Sequence, residues 1–480
     1  MIALTALLAL PLAGVLAAVA APRHGPRIAG GVVAGMGVAL VFLVARMAGG
    51  GVVRVTPGGW GAPLGIVLEA DGLAVAFAVL ALAVMAGVCA IAAALRGLAA
   101  PFWPLAMLAW AALNAIFLSR DLFNLYVGLE LLSLAAVALV ALGGDRALAA
   151  ALRYLTFALT GSILYLAGVV LVYAAHGMLD IDLLATTTLP APTDRLAMAL
   201  MTVGLLIKTA LFPFHVWLPP AHAAAPAPAS AILSALVPKA SFVILLRLWF
   251  EAMPDTADDR ILTVLAALGA GAVMLGGVLA LRQGRLKQII AYSTVAQIGY
   301  LFVVFPLAGG DSAAQPWAAG AWTGALFQAL GHGLAKAAMF LCAALWIIAA
   351  GSERLEALRG LARALPMTAM AFGIAAITLM GLPPSGGFTA KYLMMTTAFA
   401  SGQVVWGLVL LAGGLMAAGY LYRPMAQLLA RGTPDIAPVP RFLQAVPLAL
   451  ALLAVGMGIL SHEIYDFVQI GRPDTAEEGL

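Results

Sequence analysis

Four lysines stand where a lysine is costly. Lys208, Lys239, Lys336 and Lys391 each interrupt a long apolar run, and Glu130 is the one carboxylate near the middle of another, LFNLYVGLELLSLAAVALVAL. An ionisable residue at bilayer depth costs roughly 2.5–3.5 kcal/mol on insertion scales, so these groups need a polar interior to receive them. The chain holds five lysines against twenty arginines, yet the basic residues deep within apolar runs are lysines. Arginine keeps its proton in any protein site, whereas a desolvated lysine can release one. A proton relay needs that choice and a fixed structural cation does not. A single Glu–Lys pair could be glue between helices, but four lysines to one glutamate is a poor ratio for glue.

His332 stands four residues before Lys336 in LGHGLAKAAMFL. That spacing puts both side chains on one helix face, and imidazole is suited to passing protons near neutrality. A buried histidine bonded to a neighbouring helix would have the same spacing. His215 and His222 flank a proline-rich break and are expected near the membrane interface; His24, His176 and His462 are expected in loops or the tail. Ser293, Thr294, Gln297 and Tyr300 share the segment LKQIIAYSTVAQIGYLF and could either hold water or join helices. Asn114 and Asn124 are open in the same way, and Asp121 reads as a helix N-cap.

The elements that must position these groups follow from composition. The chain has 480 residues, 64% hydrophobic and 10% charged, with mean hydropathy +1.06. An average soluble domain carries about 25% charged residues, so soluble enzymes are excluded. In lipid, backbone polar groups are satisfied only within helices or a closed barrel, and the long, non-alternating apolar runs exclude the barrel. The expectation is an all-α polytopic membrane protein. A ruler of about 20 residues per span gives about fourteen spans, near 2–21, 27–49, 71–95, 101–119, 121–143, 154–175, 195–218, 227–250, 261–281, 287–308, 317–349, 367–400, 404–428 and 440–461. The first is read as a retained span rather than a signal peptide, because it lacks a basic leading region. The longest connection is expected at 176–194.

Loops after odd-numbered spans carry fourteen Lys and Arg, Arg96 and Lys287 among them; those after even-numbered spans carry seven, Arg247 among them. The excess places the odd loops in the cytoplasm and both termini on the outer side of the cell (inner) membrane. Two spans are interrupted by proline, the seventh at LLIKTALFPFHVWLPP and the twelfth at TLMGLPPSGGFTAKYLMM. Broken helices in corresponding places of two halves point to an inverted-repeat transporter and its ion path. The breaks are offset by about 170 residues, which carries Glu130 onto Tyr300.

No GxGxxG turn or Walker loop supports nucleotide binding. Cys89 and Cys342 stand alone in apolar runs, without spacing for a metal or an iron–sulfur centre, and no facing histidines suggest haem. No cofactor and no metal is expected, and no basic run is long enough to bind nucleic acid. Proton movement is the natural chemistry of what remains.

Four stretches then resemble a known family: DLFNLYVGLELLSL, LLIKTALFPFHVWLPPAHAAAPAPASAILSALVPKASFVILLRL, LKQIIAYSTVAQIGYLF, and GHGLAKAAMFL followed by GLPPSGGFTAKYL. Together they resemble the antiporter-like subunits shared by respiratory complex I, membrane-bound hydrogenases and Mrp-type sodium/proton antiporters, over about residues 70–430. The resemblance implies fourteen helices with two inverted five-helix repeats and broken helices 7 and 12. It divides the chain into 1–100 (helices 1–3), 101–251 (first repeat, helices 4–8), 261–430 (second repeat, helices 9–13) and 440–480 (last helix and short tail). It implies that Glu130 matches the family's glutamate, Lys208 its partner lysine, Lys239 the central lysine and Lys391 the terminal lysine, with His332 and Lys336 between them. SALVPKAS lacks the histidine many relatives carry there, which leans toward the D-type member of the Mrp complex or a hydrogenase-type relative, and away from the longest subunits. Pro220 stands where relatives often have an acidic residue, and the expected short tail leaves no room for the lateral helix of the largest members.

The expected function is a proton-translocating channel subunit of a larger membrane complex. Its partners would be other membrane subunits, the lipid bilayer, protons and, in an antiporter, sodium. It would not be catalytic alone, but could serve a quinone oxidoreductase or hydrogenase-type enzyme. A stand-alone secondary transporter coupling protons to sodium or a solute is the alternative, and a structural subunit with a vestigial axis is the third reading.

Overall fold

The structure, a computed structural model, describes residues 2–49, 51–95, 97–187, 191–432 and 436–472. In chain order the helices are α1 (Ile2–Ala20), α2 (Gly25–Met47), α3 (Gly72–Ala94), α4 (Phe102–Leu118), α5 (Leu122–Ala141), α6 (Leu148–His176) and α7 (Ile181–Thr187). Then come α8 (Pro192–Thr209), α9 (Leu218–Ala224), α10 (Ala227–Ala235), α11 (Val237–Arg247), α12 (Asp259–Arg282), α13 (Leu286–Leu301) and α14 (Val304–Ala308). The last are α15 (Ala318–Ala350), α16 (Leu361–Ala364), α17 (Pro366–Met380), α18 (Gly386–Ala400), α19 (Val404–Leu429), α20 (Arg441–Ile459) and α21 (Ser461–Val468). Among the described residues, twelve segments are long and apolar enough to cross a membrane, and α4 and α17 are shorter apolar helices. The chain is an all-α multi-pass membrane protein.

Helix starts follow local chemistry. Asp121 caps α5 by accepting from the Asn124 backbone N–H at 2.7 Å, as its position at a span edge predicts. Asp71 caps α3 through Ala74 in the same way, and Ser385 caps α18 through Phe388. The seventh span is broken between α8 and α9 and the twelfth between α17 and α18. Each leading half ends on a left-handed residue, Ala210 at φ 58° and Gly381 at φ 80°. The alanine bears a strain that glycine does not. Trp217 Nε1 donates to the Ile207 carbonyl at 3.0 Å, a second donor to an oxygen that the Ala210 N–H also reaches at 3.2 Å at the end of α8.

The helices pack closely where side chains vanish. A Cβ on Gly204 of α8 would lie 2.4 Å from the Gly161 carbonyl oxygen of α6, and one on Gly299 of α13 would lie 2.3 Å from that of Gly269 in α12. Small residues let helix backbones approach where no hydrophobic drive separates protein from lipid. The long helix α15 is buried along nearly its whole length and packs against α3, α10, α13, α17, α18 and α20.

Several expectations are corrected. The longest connection is 48–71, not 176–194; it carries the antiparallel hairpin β1 (Val53–Val55) and β2 (Leu68–Ala70). The 176–194 stretch holds α7, and its residues 188–190 lie outside the described residues, as do Arg96 and the tail from 473. The eighth span is interrupted as well: α10 ends at Ala235 and α11 starts at Val237, because Pro238 cannot donate to the carbonyl four residues back. Arg247, expected in a loop, is the last residue of α11 and is only 1% exposed.

Candidate functional site

The break after α8 leaves Lys208 in that helix's last turn, facing α5. Its Nζ donates to Ser133 Oγ at 2.8 Å and lies 3.5 Å from Glu130 Oε1. The same carboxylate oxygen accepts a hydrogen bond from Ser162 Oγ of α6. The Glu130–Lys208 pair is therefore a loose contact at the limit of hydrogen bonding, with a serine as the ammonium's nearer partner. Beyond it, a cavity of about 10 Å³ is lined by Lys208, Ser133, Leu129, Leu132, Tyr154, Val237 and Ser241. That is about the room one water needs, and it separates Lys208 from α11.

Lys239 is held by the flaw in the eighth span. Its Nζ donates at 2.7 Å to the Ser234 carbonyl, the oxygen four residues before Pro238 that proline leaves without a helical donor. The Ser234 hydroxyl bonds Thr294 Oγ1 of α13 at 2.8 Å. Thr294 Oγ1 and Ser293 Oγ each donate to the Ile290 carbonyl at 2.9 Å. Lys336 Nζ of α15 donates to that same carbonyl at 3.0 Å and also to Ser293 Oγ. Lys239 and Lys336 thus border one buried polar cluster: Lys239 holds the Ser234 carbonyl, the Ser234 hydroxyl bonds Thr294, and Thr294 and Lys336 share the Ile290 carbonyl.

Another group starts from α15. Gln328, His332 and Lys336 succeed one another at four-residue spacing along α15. Gln328 Nε2 donates to Gln297 Oε1 of α13 at 2.8 Å, and Gln297 Nε2 to the Leu379 carbonyl of α17 at 3.0 Å. Lys391 Nζ from α18 reaches back across the broken twelfth span to the Leu379 and Met380 carbonyls, at 3.3 and 2.8 Å, and lies 4.8 Å from the centre of the Tyr300 ring. Cations are favoured at such open helix C-termini.

The structure distributes the six candidate residues over three hydrogen-bonded groups, around Glu130–Lys208, around Lys239 and Lys336, and around Gln297 and Lys391, with His332 on α15 between the last two. His332 stands one turn before Lys336 on α15, and among the described residues neither of its ring nitrogens has a protein partner although the residue is 2% exposed. Ser293, Thr294 and Gln297 belong to these groups. Asn114 joins helices by donating to the Leu7 carbonyl, and Asn124 bonds Ser119 beside its own helix start. His222 is fully enclosed against Phe340, with ring centres 5.0 Å apart, rather than open at an interface.

Sequence reasoning missed Ser133, Ser162, Ser234 and Gln328. Gln328 could have been found from its spacing to His332. The serines carry no signal, since serine in a helix commonly bonds its own preceding turn. It also missed a buried ion network at one end of the bundle. Arg247 pairs with Asp71 and Glu251, both at 2.8 Å, while Arg120 pairs with Glu251 and Asp182, and Arg54 with Glu69. Burial raises the Glu69 carboxyl pKa above its ordinary value, against the opposing pull of Arg120. Among the described residues no group of three or more His, Cys, Asp or Glu is arranged to hold a metal ion.

Residues 119–417 match a family model described as NADH:quinone oxidoreductase/Mrp antiporter, TM. Over 427 residues the chain is 36% identical to the N subunit of the NADH-quinone oxidoreductase of Desulforudis audaxviator, covering 84% of this chain and 82% of that one. It is 30% identical to the D subunit of the Na(+)/H(+) antiporter of Alkalihalophilus pseudofirmus, covering 81% and 78%. In three dimensions it resembles a chain of the Mrp complex from a Dietzia species, with TM-score 0.89, 24% identity, and coverage of 98% of this chain and 96% of the other.

Proposed function

This chain belongs to the NADH:quinone oxidoreductase/Mrp antiporter membrane family, and we propose that it moves protons through the membrane as one subunit of a larger complex. The observation that carries this reading is the set of buried lysines without a carboxylate partner, with the Ser234 and Thr294 hydroxyls between Lys239 and Lys336. Structural glue would neutralise buried ammonium groups with carboxylates. Here Lys239, Lys336 and Lys391 are held by neutral oxygens, so each is free to exist in either protonation state.

Lys208 is the switchable carrier in this reading. A nearby carboxylate favours the charged form of an ammonium, and its withdrawal leaves a desolvated cation that gives up its proton. The 3.5 Å separation from Glu130, with Ser133 as the nearer partner, suits a pair that opens and closes. The proton then crosses the small cavity to Lys239, passes His332 and Lys336, and leaves by Lys391. The unpartnered nitrogens of His332 call for water as partner, which would complete the relay there.

In the same reading α4 and α17 also cross the membrane, the latter as the first half of the broken twelfth span, giving fourteen spans. Residues 101–251 and 261–430 are the two inverted five-helix repeats. The loop charges, thirteen against six once Arg247 and Lys287 are both set aside as buried within helices, favour both termini on the outer side of the cell membrane. The partners are other membrane subunits, as the naming of both relatives as subunits suggests. The test is Glu130→Gln in the reconstituted complex. Proton transport should fall more than tenfold, the scale of losing one positioned proton-transfer group, while assembly persists; full transport by the variant would refute the role of the pair.

A further inference from the structure

On the side of the bundle where the ends of α3 and α15 meet the starts of α10 and α13, an open cavity of about 710 Å³ is lined by Arg146, Arg285, Lys287 and Arg354 with a single carboxylate, Glu353. The backbone itself forces two of these cations together. An isolated antiparallel bridge pairs Arg285 with Arg354, fixed by Leu286 N–H to the Glu353 carbonyl at 2.9 Å and Leu355 N–H to the Gly284 carbonyl at 3.1 Å. Directly opposed like charges destabilise a strand pair. Glu353 answers only in part, 3.6 Å from Arg285. Among the described residues neither Arg146 nor Arg354 has an ion-pair partner, and Lys287 spends its donors on the Ala223 and Ala225 carbonyls.

We infer that this cavity binds a phosphate group, supplied by an anionic lipid. An excess of positive charge in a concave site concentrates anions and repels protons, so an anion fits it better than a proton inlet does. Guanidinium groups match phosphate geometry with paired donors, and Arg146, Arg285 and Arg354 are in position to supply them. The remaining wall includes Leu95, Ile347 and Ile348, and Ile348 is 43% exposed. That apolar flank suits the glycerol and first acyl carbons of a lipid more than a free ion. Basic pockets between membrane helices recognise lipid headgroups in this way.

The experiment uses the purified subunit complex in nanodiscs of phosphatidylcholine with a minority of phosphatidylglycerol, with native mass spectrometry of the lipid retained. Wild type should keep the anionic lipid selectively. Arg146→Gln with Arg354→Gln should lower that retention at least tenfold, since each cation near the headgroup contributes to binding. Both side chains are exposed, so the fold is expected to persist, which a melting curve checks. Arg153→Gln with Arg441→Gln removes equal charge elsewhere and should change nothing. Inorganic phosphate, titrated by calorimetry into the delipidated complex, distinguishes the sources. Binding lost in the Arg146/Arg354 variant supports the site as a phosphate site, with a free ion as its ligand if lipid retention is unselective. Equal lipid retention by the cavity and control variants, with no phosphate binding, would overturn the proposal.

Discussion

Lys239 Nζ occupies the one carbonyl, that of Ser234, from which Pro238 withholds a helical partner. A proline kink and a buried cation, each unfavourable alone inside a membrane helix, satisfy one another. Pro238→Ala would restore a backbone donor competing for Ser234. If one hydrogen bond of about 1 kcal/mol is at stake, proton flux in reconstituted vesicles should drop about fivefold, with Lys239 still present. Undiminished flux would mean that the kink has no part in the path.

The Ser234 hydroxyl bonds Thr294 between Lys239 and Lys336. Ser234→Ala keeps the carbonyl for Lys239 but cuts the link to Thr294. Flux should fall severalfold, and Ser234→Thr should recover part of it. The decisive comparison is with Asn114→Ala, which removes an interhelical bond outside these groups and is expected to leave flux near wild type.

Lys391 separates a proton carrier from a fixed cation. Lys391→Arg keeps a positive charge near the Leu379 and Met380 carbonyls but cannot release a proton. Transport should be lost in the arginine variant as fully as in Lys391→Met, with normal assembly by size-exclusion chromatography. Rescue by arginine would assign Lys391 a purely structural role.

Arg247 should matter for stability instead. It is buried between Asp71 and Glu251, and removing one partner of a buried ion pair costs about 3–5 kcal/mol. Arg247→Leu should lower the melting temperature and the yield of assembled complex. A normal melting curve would show that solvent or other cations compensate the two carboxylates.

Helix contact between α6 and α8 positions Lys208 and can be probed without touching a charge. Gly204→Val would drive a side chain into the Gly161 carbonyl. Overpacking of this kind costs typically about 1–3 kcal/mol. Transport and thermal stability should decline together, whereas Gly30→Val, at a glycine with open space, should change neither.

The sequence was informative about what composition and periodicity encode. The expected spans fall on observed helices, such as 71–95 on α3 and 404–428 on α19, because lipid permits an apolar run few alternatives to a helix. The breaks at Pro213 and at Pro383–Pro384 were legible because proline acts locally. Pro238 was equally local, but an otherwise continuous apolar run concealed the kink it makes. Arg247 was misplaced because a cation near a span's end reads as a loop residue, and Asp71, 176 positions away in the chain, joins Glu251 in making its burial tolerable.

The candidate site divides along the same line. Glu130, Lys208, Lys239, His332, Lys336 and Lys391 are legible one by one, since a charge in an apolar run is visible without any partner. Their connections are not. Ser133, Ser162 and Ser234 look like ordinary helix serines until folding sets them beside Lys208, Glu130 and Thr294. The sequence by itself determined that this is a helical membrane protein with buried titratable groups, because transfer from water to lipid is a property of each residue. Only the tertiary structure decided which groups touch, because a hydrogen bond needs atoms about 3 Å apart and no sequence spacing fixes that between different helices.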